Sequence, residues 1–362
     1  MSVSVQNIYY LLCYAWDRLE ARNLVDVNSI PGNRIENLLG KVLHDGVSHL
    51  IRSGFDRGYV PFEETSRRLR GKVLLTETVG RSLLEQGRVA CQTDDLSYDV
   101  AHNRVIKAAM ATMAALPSID KSIAVGLRDH CRRLHDVADI PLSPAAFRQV
   151  QLHRNLARYA FLVNIAQLVA KSFIPDERTG MRKFHPFTAN EQEMGRLFEA
   201  FVRNFLRREQ QIFAVDAPKV PWDLDPCDSS DPSWLPEMRT DVILTNESGR
   251  VVIETKYYAT PYQAQYGAKK LISGHVYQLL TYLSHLGVDG GVEPVGVLLY
   301  AGLGIGQRLQ YRLGGHALLV RSLDLNRDWL DIHSELMGIV RELSGTTKTL
   351  LGLLCEAVQR DR

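Results

Sequence analysis

The chain has no C-x-x-C pair. Its five cysteines, Cys13, Cys91, Cys131, Cys227 and Cys355, are scattered over 362 residues, which argues against a structural zinc site and against a disulfide framework. It has no apolar stretch of membrane-spanning length, and the opening "MSVSVQNIYYLLCYAW" lacks a basic leader region and a small-residue cleavage site. Neither a signal peptide nor a span is expected, and a soluble cytoplasmic protein with no membrane partner is the natural reading. Net charge is also scarce: 43 basic against 41 acidic residues leave +2, so any basic surface is local. No internal repeat or low-complexity tract occurs, which excludes solenoids and compositionally biased segments. There is no G-x-x-x-x-G-K-[ST] run; "SGTTKT" has Lys348 before a threonine but no glycine directly before the lysine. A phosphate-cradling P-loop is therefore not expected in this chain.

What is present is an ordinary globular composition, 45% hydrophobic and 23% charged, long enough for two domains. Arginines outnumber lysines 32 to 11, a bias toward the planar side chain that pairs bidentately with phosphate and carboxylate. Helical periodicity marks "NIYYLLCYAW" and "RIENLLGKVLHDGVSHLIRSGF", the latter with Leu38, Leu39, Val42, Leu43, Val47 and Ile51 on one stripe. "YVPFEETSRRLRGKVLLTETV" and "RVACQTDDLSYDV" read as strands joined by polar loops. "NRVIKAAMATMAAL" returns to helix until Pro117 breaks it. The boundary is expected near 155, giving a mixed α/β domain over 1–155 and a second domain over 156–362. The second begins with the apolar helix "LARYAFLVNIAQLVAKSF", which would bridge the halves. It continues with the amphipathic helix "EQEMGRLFEAFVRNFLRREQ", for which Asn190 is the expected N-cap. "VPWDLDPCDSSDPSW" is rich in Pro, Asp and Ser and reads as loop. Two strands follow around "NESGR", then "GHVYQLLTYLSHLG", a helix that Ser273 would cap, and a buried strand "VGVLLYAG".

The chemistry concentrates in "TDVILTNESGRVVIETKYYA", residues 240–259. Strand periodicity puts Glu254 and Lys256 on one face and Thr255 on the other. An antiparallel hairpin through "NESGR" brings Asp241 to the end where they sit. Two carboxylates at strand ends suit a hard divalent cation with sites left for water and phosphate. Mg²⁺ there would acidify a water and polarise a phosphodiester, while Lys256 orients the water or offsets charge. The competing reading is an exposed hairpin with a surface ion pair worth at most about 1 kcal/mol. Three features favour a site. Glu254-Thr255-Lys256 is the only [DE]-x-K in the chain and closes an apolar strand. Glu199 lies among Leu197, Phe198, Phe201, Val202 and Phe205, where an isolated buried acid needs a cation or partner, unless it sits at the helix edge. Gln278 and Tyr282, four apart, share a helix face from which they would bond a carboxylate or a DNA phosphate, or else they flank a core stripe of Val276, Leu279, Leu280 and Leu283.

Helix with Glu, strand with Asp, strand with [DE]-x-K, then helix with Q-x-x-x-Y resembles the PD-(D/E)XK nucleases, in particular the RecB-like branch. "NIYYLLCYAW", "IPGNRIENLLGKVL", "LRGKVLLTETV", "NRVIK", "MRTDVIL" and "VIETKYY" follow in order the pattern of the McrC family, nuclease subunits of McrBC methylcytosine-dependent restriction systems. That resemblance runs from Asn7 to about Leu336. It implies a restriction-endonuclease-like domain with a central mixed sheet flanked by helices over 156–362, and Asp241, Glu254 and Lys256 as catalytic residues. Relatives often carry Asp where this chain has Glu254, and not all have an acid at Glu199. Glu199, Gln278 and Tyr282 would complete the catalytic set, with Asp241, Glu254, Glu199 and Thr255 as the metal residues and Mg²⁺ as the cofactor. The substrate implied is double-stranded DNA containing modified cytosine. The partner implied is an McrB-like AAA+ GTPase ring that binds the GTP and is stimulated by the domain over 1–155. Arg67, Arg68, Arg70 and Lys72 would form a loop reaching a partner or DNA, or a solvated turn. Two alternatives are a stand-alone RecB-like repair nuclease and a non-catalytic, DNA-binding activator of the GTPase. The tail after about Ser344 extends beyond the usual family end.

Overall fold

Ser4 starts the first helix, α1 (Val5–Ala15), by accepting a hydrogen bond from the Asn7 backbone N–H, which satisfies one of the orphan donors of a helix N-terminus. The computed structural model describes residues 3–153, 156–175, 182–224, 231–257, 262–265, 268–287, 292–302 and 308–360. Two compact units emerge, one of Asn23–Pro186 and one of Met1–Arg22 together with Phe187–Arg362.

The unit Asn23–Pro186 holds α2 (Ile35–Ser53), β1 (Gly58–Ser66), β2 (Lys72–Val73), α3 (Leu75–Gly80), β3 (Val89–Ser97), α4 (Ala101–Ala114), α5 (Lys121–Arg133), α6 (Pro144–Arg148), α7 (Ala157–Ser172), β4 (Phe173–Pro175) and β5 (Arg182–Phe184). The expected α2 stripe is largely buried, with Leu38, Leu39, Val42, Leu43 and Val47 fully enclosed and α4, α5 and α7 packed around it. A Cβ at Gly46 would lie 2.4 Å from Leu162, so glycine is what lets α2 and α7 approach. Strands β1, β3 and β2 form an antiparallel sheet. The segment "LLTETV", expected as strand, is instead α3. Only two residues of β2 pair with β3 before Leu74 bonds to Ala90 and the chain turns away, and Thr78 Oγ1 takes the Ala90 N–H in place of a strand partner. Arg67, Arg68 and Arg70 are exposed between β1 and β2, with Lys72 opening β2.

The second unit contains α1, α8 (Glu191–Glu209), β6 (Ala214–Asp216), β7 (Lys219–Val220), β8 (Met238–Arg239), β9 (Val242–Asn246), β10 (Gly249–Tyr257), β11 (Tyr262–Gln265), β12 (Ala268–Leu271), α9 (Ser273–Leu286), β13 (Val295–Ala301), β14 (Leu309–Leu313), β15 (His316–Leu323) and α10 (Trp329–Arg360). Its main sheet has the order β14-β15-β13-β10-β9-β6. The β10–β13 and β13–β15 pairs are parallel and the rest antiparallel. The central strands β10 and β13 are buried almost throughout, as strands covered on both faces must be. Helix α9 packs on the sheet through Leu279, Tyr282 and Leu283 against Val252, Leu298 and Tyr300, and α8 and α10 also pack against β10.

Helix α1 is part of this unit, which shifts the boundary expected at 155. Tyr14 sets its ring edge-on to Phe201 and tilted against Phe205 and Trp329 and donates from its hydroxyl to Glu209 Oε1 at 2.6 Å. Asn204 Nδ2 donates to the carbonyls of Tyr14 and Ala15, each at 3.0 Å. Asn7 Nδ2 donates to those of Leu325 and Arg327 at 2.7 and 2.8 Å. Conversely α7, expected to open the second domain as a bridge, packs with Asn23–Pro186. Side chains that meet only after folding decide both memberships, so local sequence pattern does not reveal them.

Two local expectations also meet their outcome here. Asn190 caps α8, its Oδ1 accepting from the N–H groups of Gln192 and Glu193. Ser273 does not cap α9: it is the first helical residue, and Ile272, leaving β12 in extended conformation, holds the cap position with no side-chain bond. Cys13, Cys91 and Cys131 are free thiols, while Cys227, part of the Asp-rich segment, and the side chain of Cys355 lie outside the described residues. Among the described residues no helix is long and apolar enough to cross a membrane.

Candidate active site

The β9–β10 register, Val242 opposite Ile253 and Asn246 opposite Gly249, delivers Asp241 to the end of β10 as the hairpin requires. Its Oδ2 accepts two hydrogen bonds from one residue, the Thr255 N–H at 2.7 Å and the Thr255 hydroxyl at 2.6 Å. Thr255 is therefore the residue that fixes the Asp241 carboxylate. Both of its protons, on the backbone nitrogen and on the hydroxyl, are committed to that carboxylate.

Glu254 is 2% exposed. Its Oε1 accepts from Lys256 Nζ at 2.8 Å, and the same ammonium donates to Gln278 Oε1 at 2.9 Å. Gln278 in turn donates through Nε2 to the Tyr282 hydroxyl at 2.9 Å. The strand period and the four-residue helical spacing thus meet in one chain, Glu254–Lys256–Gln278–Tyr282, that holds the lysine by two acceptors. Tyr282 also belongs to the core under α9, so the polar chain is anchored on packed side chains.

Glu199 takes the helix-edge position. Its side chain is 29% exposed and its Oε1 accepts from Arg203 at 2.9 Å, four residues further along the same face. The Arg203 guanidinium also donates to the Asp241 carbonyl at 3.3 Å. Leu197, Phe198, Phe201, Val202 and Phe205 are buried on the other side of α8. Arg203 is a site residue that sequence reasoning missed, although its i,i+4 spacing from Glu199 was a readable signal. His275 was missed too: it is buried on α9, with Nδ1 2.9 Å from the Tyr300 hydroxyl, and burial together with the nearby Lys256 charge pushes its pKa down to about 4.

A cleft of about 430 Å³ is lined by α8 residues Gln192, Gly195, Arg196 and Glu199 on one side and Asp241, Glu254 and Lys256 on the other. Burial raises the Asp241 pKa, opposed by the Thr255 hydroxyl and assisted by the Glu199 charge. Burial likewise pushes Glu254 up to about 7, reinforced by the Asp241 charge and opposed by Lys256. Two buried acids that resist ionisation side by side are what a divalent cation relieves. The second Glu254 oxygen, Oε2, is buried with no hydrogen-bond partner among the described residues, a state that normally costs free energy. Among the described residues no three His, Cys, Asp or Glu side chains form a ready-made metal cage. The donor set fits Mg²⁺ nonetheless, since that ion is held by one or two carboxylates and keeps waters for exchange with phosphate. Glu199 lines the same cleft with its Oε1 on Arg203.

A family model described as McrBC 5-methylcytosine restriction system component matches residues 6–301. The chain belongs to that family. This McrBC family member is 28% identical over 340 residues to the type IV methyl-directed restriction enzyme EcoKMcrBC of Escherichia coli (strain K12), across 94% of this chain and 98% of that protein. It is also similar to a chain in the refined half-complex from a tetradecameric assembly of Thermococcus gammatolerans McrB AAA+ hexamers with bound McrC. The TM-score is 0.59 at 14% identity, over 94% of this chain and 76% of that one, a likeness of fold. The expected mixed α/β architecture is borne out by both the sheet topology and this similarity.

Proposed function

We propose that the chain is the endonuclease subunit of a modification-dependent restriction complex, hydrolysing phosphodiester bonds of DNA that contains methylcytosine. The observation that carries this reading is the buried Glu254 carboxylate, with one oxygen on Lys256 and the other unpartnered, beside Asp241 in a cleft of an McrBC family chain. Asp241 and Glu254 would hold Mg²⁺, which when bound supplies Lewis acidity to the phosphate and a lowered pKa to the attacking water. Thr255 keeps the Asp241 carboxylate oriented, so that little reorganisation is left for the reaction. Lys256, fixed by Glu254 and Gln278, presents its ammonium to the attacking water and offsets charge as it develops on the phosphate. Tyr282 holds Gln278, and through it the lysine.

GTP is assigned to a partner of the McrB type, an AAA+ GTPase, in keeping with the relative's description as a complex with McrB hexamers and with the missing P-loop. The complex would act in the cytoplasm. Residues within the expected 1–155 domain would dock on and stimulate the GTPase, and the arginines between β1 and β2 are candidates for that contact. The test is cleavage of methylated and unmethylated DNA by the full chain with its partner, GTP and Mg²⁺. Glu254→Ala should abolish cleavage while GTPase stimulation survives. Methyl-independent cutting without the partner would favour a stand-alone repair nuclease. Stimulation of the GTPase with no metal-dependent cutting by the wild type would leave a non-catalytic activator.

A further inference from the structure

Helical glycines in this protein divide by what surrounds them. A Cβ at Gly40, Gly46 or Gly126 would run into Ile119, Leu162 or His44 at 2.7, 2.4 and 2.5 Å, so internal packing accounts for those three. Gly195, in the second turn of α8, is different: a Cβ there would meet no atom of the described residues within 4 Å. Glycine at a helix-interior position is less stable than alanine, and nothing inside the described fold compensates. Gly80 of α3, Gly274 of α9 and Gly338 and Gly345 of α10 are similarly open, but only Gly195 of these lines the cleft that contains Asp241, Glu254 and Lys256.

Gln192, Gly195, Arg196, Glu199 and Arg203 recur at three- and four-residue spacing and so share one side of α8, and the first four line the cleft. Opposite them stands the unpartnered, buried Glu254 Oε2. Arg196 is 63% exposed and, among the described residues, tied only by an exposed contact with Glu193 at 3.3 Å, an interaction weak enough to be exchanged. Its guanidinium suits a phosphate oxygen in bidentate geometry. Glu191, also at the cleft, carries the opposite charge and limits the phosphate track to the Arg196 end.

We infer that Gly195 and Arg196 form the surface over which the DNA backbone enters the cleft, the missing Cβ giving the sugar-phosphate chain room and Arg196 holding the phosphate adjacent to the one cleaved. This rests on the nuclease reading of the same cleft and adds to it how the strand is seated. Two consequences separate it from a structural role. Gly195→Ala should stabilise the protein while impairing its action on DNA, and Arg196→Gln should weaken binding in a salt-dependent way.

The experiment uses the full chain with its GTPase partner and a short duplex carrying 5-methylcytosine, in parallel with thermal unfolding of the chain alone. For Gly195→Ala the melting temperature should rise by about 1–3 °C. Cleavage at limiting DNA should fall by on the order of tenfold or more and recover at saturating DNA. For Arg196→Gln the slope of log affinity against log salt should shrink by about one, with Arg196→Lys retaining most of it. Wild-type cleavage by Gly195→Ala, or a loss of cleavage that comes with a lower melting temperature, overturns the inference. An unchanged salt slope for Arg196→Gln overturns the phosphate contact. If the wild type cuts no DNA, the nuclease reading fails by itself. Binding of the same duplex then still decides the inference, which is overturned if Gly195→Ala binds as the wild type does.

Discussion

Glu254→Gln should make the metal-free protein more stable at alkaline pH, not less. The folded protein holds the Glu254 proton up to about pH 7, whereas an ordinary glutamate releases it near 4.5. Between those values the folded state binds more protons than the unfolded chain. Its stability is therefore full below the window and falls as pH rises through the folded pKa. The gap corresponds to about 3 kcal/mol, and the raised pKa of Asp241 acts in the same direction. Gln resembles the neutral acid and still accepts from Lys256, so the wild type and Glu254→Gln should be similar below pH 4.5 and diverge progressively up to pH 7, with the difference constant above that. For a unit of this size that divergence is roughly 6–12 °C in melting temperature. The assay is thermal unfolding in EDTA across that range, repeated with excess Mg²⁺. The cation should restore the wild type at high pH by binding the folded state and leave Glu254→Gln nearly unchanged. A difference between the two proteins that does not vary with pH, or that grows on acidification, would refute the claim that burial holds this carboxyl protonated.

Two further expectations concern the supports of the site. Gln278→Ala removes one of the two acceptors of Lys256 and should lower cleavage on the order of 10–100-fold with the melting temperature little changed, as a comparison of turnover and thermal unfolding would show. Tyr14→Ala removes a buried ring and its bond to Glu209. It should destabilise the unit containing α8 by about 3–5 kcal/mol, read as a lower denaturation midpoint.

Sequence by itself determined the strand that carries the candidate site. An apolar run ending in Glu-Thr-Lys allows only one alternation, and the "NESGR" turn leaves Asp241 one place to go, so strand period and hairpin register suffice to bring these groups together. The Gln278–Tyr282 face was legible for the same reason, because helical spacing is a local property. The tertiary structure alone decided the rest. That Asp241 is held by Thr255, that Glu199 pairs with Arg203, and that Glu254 is buried deeply enough to hold its proton to about pH 7 depend on which elements close over the strand end. The same holds for α1, whose amphipathic pattern fits any apolar partner equally well. Its place beside α8 is set by Tyr14, Asn7 and Asn204 meeting groups up to some three hundred residues away in the chain, and contacts at that separation leave no periodic trace in the sequence.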